Sequence, residues 1–201
     1  MKFKTDALRI LDFDIEARPL GWYGGDFVHK EPTAIAWAWI KNGTVDVVFS
    51  GALTLEIGPG RMLERFAEAY NKADMVTGHW IRSFDLPILQ TAMMEQGLPL
   101  LGSKMAHCTK SDLIQLGGIS KSQENLGSMA GTTNPKVAMN QAKWRSGNRL
   151  EPLGIEEVVE RVVGDVRQHA EMREWLLDRG LLRPPKVWYP GSSDKSGPYT
   201  P

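Results

Sequence analysis

Large apolar side chains recur along the chain in two rhythms, and each rhythm marks a kind of element. Leu8, Ile10, Leu11, Phe13 and Ile15 crowd eight positions and predict a buried strand over 8–15. Over 33–40, large Ile35, Trp37 and Trp39 alternate with small Ala34, Ala36 and Ala38, the period of two that a strand requires. Asn42-Gly43 follows. Both central residues of a type I′ turn need positive φ, so this pair predicts a hairpin returning as a third strand over 45–49. The period then lengthens, with Met62, Leu63, Phe66, Ala69 and Tyr70 spaced for one face of a helix. A short strand is expected over 75–77. A helix over 86–94 carries Pro87 in its first turn, where a missing N–H costs little, and Gly97 ends it. Residues 105–109 read as a further strand, and 112–144 as short helices broken by Gly117-Gly118, Gly131 and Pro135. The last helix spans 155–178, with Ile155, Val158, Val159, Val162, Val163, Val166 and Ala170 as its apolar stripe and Gly180 as its stop. A three-stranded antiparallel meander, then alternating helix and strand, then a closing helix predict an α/β domain with a mixed sheet flanked by helices.

The pattern ends at Leu182. Residues 183–201, RPPKVWYPGSSDKSGPYTP, are rich in Pro, Gly and Ser and are expected to form an extended tail without a core of its own. Trp188 and Tyr189 are candidates to pin its first half. The division expected is therefore one domain over 1–182 and a tail over 183–201. At 201 residues, 42% apolar and 24% charged, the chain suits one soluble domain, and no run approaches the roughly 20 apolar residues of a membrane helix. MKFKTDALRI lacks the apolar stretch and cleavage site of a signal peptide. Cys108 stands alone, which excludes an internal disulfide and fits a small buried residue in a reducing cytoplasm. Lys plus Arg and Asp plus Glu both number 24, so the basic excess of a nucleic-acid coat protein is missing. Carboxylates that hold metal ions would offset a basic substrate track in such a balance.

Three places carry candidate chemistry. Asp14 and Glu16 lie two apart at the expected end of the first strand, so both side chains take one face while Ile15 takes the other. Converging carboxylates repel unless a cation lies between them, and hard divalent ions favour such oxygen ligands. Asp12 shares their parity and lies deeper in the strand. Asp85 sits where the chain leaves a strand, crosses a loop and begins a helix; an N-cap is the alternative reading. Arg161, Asp165 and His169 stand at i, i+4 and i+8 of the closing helix in one nearly straight row, with an Arg161–Asp165 ion pair as the alternative to a metal ligand.

In this order the three places resemble the DEDD superfamily of 3′–5′ exonucleases, the proofreading group with a ribonuclease H-like fold. Phe13-Asp14-Ile15-Glu16 is similar to its first motif, Gly78-His79 through Leu89 (with Phe84-Asp85-Leu86-Pro87 most specific) to its second, and Val162-Val163-Gly164-Asp165-Val166 to its third. The resemblance spans about residues 7–180. It implies a two-metal phosphodiesterase in which Asp14, Glu16, Asp85 and Asp165 hold two Mg²⁺ or Mn²⁺ ions about 4 Å apart, one activating water and the other stabilising the leaving 3′-oxygen. It also implies a single-stranded DNA or RNA substrate degraded from its 3′ end.

The chain departs from the family at Trp80, where Asn is common, and at the water-orienting residue. The family places Tyr four residues before the last Asp, or His five before it; here those positions are Arg161 and Glu160. Arg161 stays protonated and is no base. Three readings remain open: His169, or second to it His79, orients the water; the ions suffice; or the chain is a weakened nuclease that binds nucleic-acid ends or serves a replication complex. Lys136, Lys143, Arg145 and Arg149 around Trp144 suit a single strand, with a solvated helix face and a core Trp144 as the alternative. Trp80 and Phe84 are candidates to wedge against the terminal base, with core packing as the equal alternative for Phe84, and the tail is a candidate to dock a replication or repair protein.

Overall fold

In the first strand, β1 (Ile10–Pro19), residues alternate between two faces of a sheet that is covered on both sides. The computed structural model describes residues 8–20, 22–23, 26–27, 30–134 and 136–190. After β1 come the two-residue strands β2 (Trp22–Tyr23) and β3 (Asp26–Phe27), which pair with each other, then β4 (Lys30–Ile40) and β5 (Val48–Ala52). Helix α1 (Pro59–Lys72), β6 (Met75–Gly78), α2 (Asp85–Glu95) and β7 (Lys104–Cys108) follow. Two short helices, α3 (Gln123–Ala130) and α4 (Gln141–Asn148), lead to the long α5 (Pro152–Asp178) and a last strand, β8 (Lys186–Trp188). The main sheet has the order β5-β4-β1-β6-β7-β8. Strands β5, β4 and β1 are antiparallel, whereas β1, β6 and β7 are parallel. This is the mixed, ribonuclease H-like α/β arrangement expected, meander first.

The two faces differ in side-chain size, and that difference places the helices. Leu11, Phe13 and Ile15 of β1 and Ile35 and Trp37 of β4 form the thick core under α1 and α2, with Leu63, Phe66, Tyr70, Leu86 and Leu89. Across the sheet, Ala34, Ala36 and Ala38 give a shallow floor on which Val158, Val162 and Val166 of α5 pack. Each alanine stands opposite an acid of β1: Asp12 faces Ala38, Asp14 faces Ala36 and Glu16 faces Ala34. Cross-strand partners share a face, so the same alternation that brings α5 close lays three carboxylates along its flank.

Asn42 and Gly43 have φ of 51° and 77°, as the hairpin demands. The returning strand starts later than expected, at Val48 rather than Val45. Between the Lys41–Thr44 bridge and the Ala38–Val48 pair the register slips by one residue, so Val45 and Val47 fall outside the ladder. β1 is also longer than expected and runs to Pro19, with a bulge between Glu16 and Ala17. Asp14 and Glu16 are therefore inside the strand rather than at its end.

Within the expected extended tail, residues 186–188 form the edge strand β8, antiparallel to β7. Trp188, 2% exposed, enters the main core, so more than loose pinning holds this segment. Tyr189 is exposed. Upstream, Arg183 N–H donates to the Asp112 carbonyl and Leu182 bridges Leu113. The rest of the expected tail, 191–201, lies outside the described residues.

Candidate active site

β1 pairs with β6 only through Ile10–Asp12, and beyond Thr77 the two strands part. Gly78 stands at the point of parting, tight against both β1 and the loop that follows: a Cβ there would come within 2.6 Å of the Phe13 carbonyl and 2.4 Å of Ile81. Into the gap comes the first residue of α2: an Asp85 carboxylate oxygen accepts from Ile15 N–H at 3.2 Å, closing the strand edge that β6 has left. Asp85 thus reaches β1 from one side while Asp165 reaches it from α5. Oxygens of Asp14, Glu16 and Asp165 lie within 4.8 Å of one another. Asp85 joins them electrostatically, its charge being the strongest charged influence on Asp14.

Like charges packed under two helices resist ionisation. Burial, then the charges of Asp85, Asp165 and Glu16, pushes Asp14 well above the ordinary carboxylate range. Burial and Asp165 lift Glu16 to about 7 against the opposing pull of Arg161 and Lys136. Burial lifts Asp85 to about 8 although it accepts backbone hydrogen bonds. Asp165 is raised by burial too, with Lys136 and Arg161 opposing.

An all-carboxylate donor set of this size suits a hard divalent ion. A second observation agrees: Asp165 is 2% exposed, yet its Oδ1 has no hydrogen-bond partner. A buried carboxylate oxygen without a partner is costly unless a cation meets it. The residues present therefore fit a metal ion, and Asp14, Glu16 and Asp165 with Asp85 beside them are the groups able to hold it.

The other half of the site is cationic. Arg161 Nε lies 3.1 Å from Asp165 Oδ2 and 3.5 Å from Glu16 Oε1. These are ion pairs by charge rather than aligned hydrogen bonds, because the Nε–H itself lacks an acceptor in line. The same guanidinium donates to the Val137 carbonyl. Lys136 Nζ stands 3.1 Å from Asp165 Oδ2. The expected i, i+4 pair is thus present and wider than expected, reaching Glu16 as well. Lys136 was grouped by sequence with the substrate cations; only folding brings it to Asp165, from 29 residues upstream.

His169, the first candidate to orient the water, has both ring nitrogens in hydrogen bonds away from the three converging oxygens. It is buried one turn beyond Asp165, with Nδ1 2.8 Å from both Asp12 oxygens and Nε2 3.0 Å from Thr109 Oγ1. His79 Nδ1 meets the same hydroxyl at 2.9 Å, and burial, helped by nearby His169 and Lys110, pushes His79 down to about 3. Asp12 accordingly belongs to a buried polar chain beneath the carboxylates rather than among them. The β1 acids and the α5 row interleave, Arg173 extending that row one turn further.

The loop 79–84 is held from within. Ile81 is buried over Gly78, and Arg82 makes a buried bidentate pair with Asp112 at 2.6 and 2.8 Å. That leaves Trp80 facing outward, while Phe84 is half-buried and packs against the main core. Trp80 has φ of 72°, a strained conformation for a bulky residue, and is 42% exposed. Its ring stacks on Phe84 at 5.7 Å and 9°. Lys110 caps Trp80 at 3.8 Å and Lys30 caps Phe84 at 4.5 Å. Among the α4 residues, Trp144 is half-buried and packs against the cluster of Val158, Val162 and Val166. Lys143 pairs with Glu157 at 2.9 Å, and Arg145 and Arg149 are exposed. Cys108 is buried and donates to Ser111 Oγ at 3.3 Å, as the reading of an inert residue expects.

No protein-family model matches the sequence, and no curated protein matches it. Among solved structures, the chain is similar to a family B DNA polymerase from the hyperthermophilic archaeon Pyrobaculum calidifontis, with a TM-score of 0.62 and 16% identity. The match covers 85% of this chain and 24% of the polymerase chain, so it corresponds to about a quarter of that protein. At that identity the likeness is one of fold. No helix among the described residues is long and apolar enough to cross a membrane.

Proposed function

We propose that the chain is a divalent-metal-dependent 3′–5′ exonuclease acting on single-stranded DNA or RNA. The observation that carries the reading is the meeting of Asp14, Glu16 and Asp165 from a strand and a distant helix, with an unpartnered oxygen of buried Asp165 among them. A likeness of fold to a DNA polymerase, together with the three motifs of the proofreading group, supports a phosphodiester as the substrate.

Asp14, Glu16, Asp85 and Asp165 would hold Mg²⁺ or Mn²⁺, which supplies Lewis-acid stabilisation of the negative charge that a phosphodiester gains on attack. The other roles fall to the chain itself. Trp80 and Phe84 offer a preformed ring surface on which a terminal base would stack by displacing Lys110 or Lys30 from a ring face, the displaced ammonium then meeting a phosphate. The strain at Trp80 fixes that surface in advance, which lowers the ordering cost of binding a flexible strand end. Lys136 and Arg161 lie on the cluster and stabilise charge on the scissile phosphate.

One observation favours the second reading, a catalytically weakened module that binds nucleic-acid ends: Arg161 and Lys136 already neutralise Asp165, as bound metal would. Incubation of 3′- and 5′-labelled single strands with Mg²⁺, Mn²⁺ or chelator separates the two. Stepwise loss from the 3′ end, abolished by chelator and by Asp14→Asn, is expected of the exonuclease. Retention of the strand without cleavage in either metal refutes it in favour of the binding module.

A further inference from the structure

We propose that Arg161 permanently fills one of the two cation positions, so that the site takes a single divalent ion; this rests on the metal-dependent reading above. Three carboxylates meet here, Asp14, Glu16 and Asp165, with Asp85 beside them on Ile15 N–H, and two fixed cations, Lys136 and Arg161, stand on Asp165 and Glu16. When ionised, the carboxylates leave two negative charges uncompensated, the number that one divalent ion neutralises. A second ion would turn the centre positive with Arg161 still in place, and like charges at these separations repel strongly where solvent is scarce.

Geometry distinguishes the occupied position from the open one. Asp165 Oδ2 is spent on both cations, at 3.1 Å from each, and Glu16 Oε1 is 3.5 Å from Arg161. Asp165 Oδ1 has no partner, and among the described residues Asp14 has no cation within ion-pair distance. The open position thus lies between Asp165 Oδ1 and Asp14, and the filled one between Asp165 Oδ2 and Glu16. Arg161 is not free to withdraw easily, since its guanidinium is tethered to the Val137 carbonyl and only 15% of its side chain is exposed. A guanidinium stays charged, so it supplies a standing positive charge where the family uses a neutral phenol or imidazole and a second ion.

The test is the number of Mn²⁺ ions bound per full-length chain, by calorimetry and by the paramagnetic resonance of Mn²⁺, with and without a deoxynucleoside 5′-monophosphate. Ions lost on Asp165→Asn define those at this site. Wild type should bind one uncoupled ion, and Arg161→Lys likewise. Arg161→Met should bind two, with the spin coupling of a pair about 4 Å apart. A cooperative melt of each variant checks folding, and the wild-type count stands without any variant. Two coupled ions in wild type would overturn the inference while leaving the nuclease reading intact. So would one ion in both wild type and Arg161→Met, or none in wild type with binding restored by Arg161→Met. No ion in any of them would overturn the metal-dependent reading itself.

Discussion

Glu16→Gln should stabilise the metal-free protein at pH 8 and leave it almost unchanged at pH 4.5. The carboxyl has an ordinary value of 4.5 and is lifted to about 7 by burial and by Asp165. The folded chain therefore holds this proton more tightly than the unfolded chain does, and unfolding releases it between those two values. Stability is complete below pH 4.5, falls as pH rises through that window, and is lowest above pH 7. At about 1.4 kcal/mol per pH unit the gap amounts to about 3 kcal/mol. Glutamine keeps the shape and removes the charge, and the pull of Arg161 is already within that gap; burying the amide itself offsets part of it, so a gain of about 2 kcal/mol is the expectation. For a chain of this size that is roughly a 4–8 °C rise in melting temperature. The assay is thermal unfolding in chelator at pH 4.5, 6 and 8, repeated in Mg²⁺ at pH 8. Wild type should melt lower as pH rises and recover with Mg²⁺, whereas the variant should fall less steeply, its remaining slope coming from raised Asp14, Asp85 and Asp165, and should respond less to the ion. A variant that melts below wild type at pH 8 in chelator would refute the argument, since Arg161 would then more than offset the burial of Glu16.

Further outcomes follow from other contacts. Arg82→Met leaves buried Asp112 without its bidentate partner and should cost about 3–5 kcal/mol; adding Asp112→Leu should recover much of that, and an undiminished loss by denaturant titration would mean the loop depends on more than this pair. Trp188→Ala should cost about 3 kcal/mol by the same measurement, because the ring fills the core beneath β7; a loss within error would return 186–188 to the status of a dispensable tail. Trp80→Ala should weaken single-strand binding about tenfold, as loss of one stacked base of roughly 1–3 kcal/mol predicts, and unchanged affinity by fluorescence anisotropy would remove the ring pair from the substrate path.

Local patterns were enough for most of the architecture. The alternation of Ala34, Ala36 and Ala38 with Ile35, Trp37 and Trp39 is a strand rhythm in any context, and Asn42-Gly43 carries its turn in its own backbone preferences. The heights of the two faces were also written there, since alanines on one parity leave room for a helix to approach. Parity placed Asp12, Asp14 and Glu16 on one side of β1, and the stripe of α5 set Asp165 beside that side. What no local pattern carries is the meeting of distant segments. Lys136 reaches Asp165 from a loop, Asp85 closes a strand edge that exists only because β6 turns away, and His169 is taken by Asp12 and Thr109 rather than offered to the site. Residues 186–188 look like a tail because an edge strand draws its order from hydrogen bonds to β7 rather than from its own composition. The carboxylates could be listed from the sequence; which of their oxygens are spent on Arg161 and Lys136, and which is left without a partner, depends on packing across more than a hundred residues of chain, and only the tertiary structure decides it.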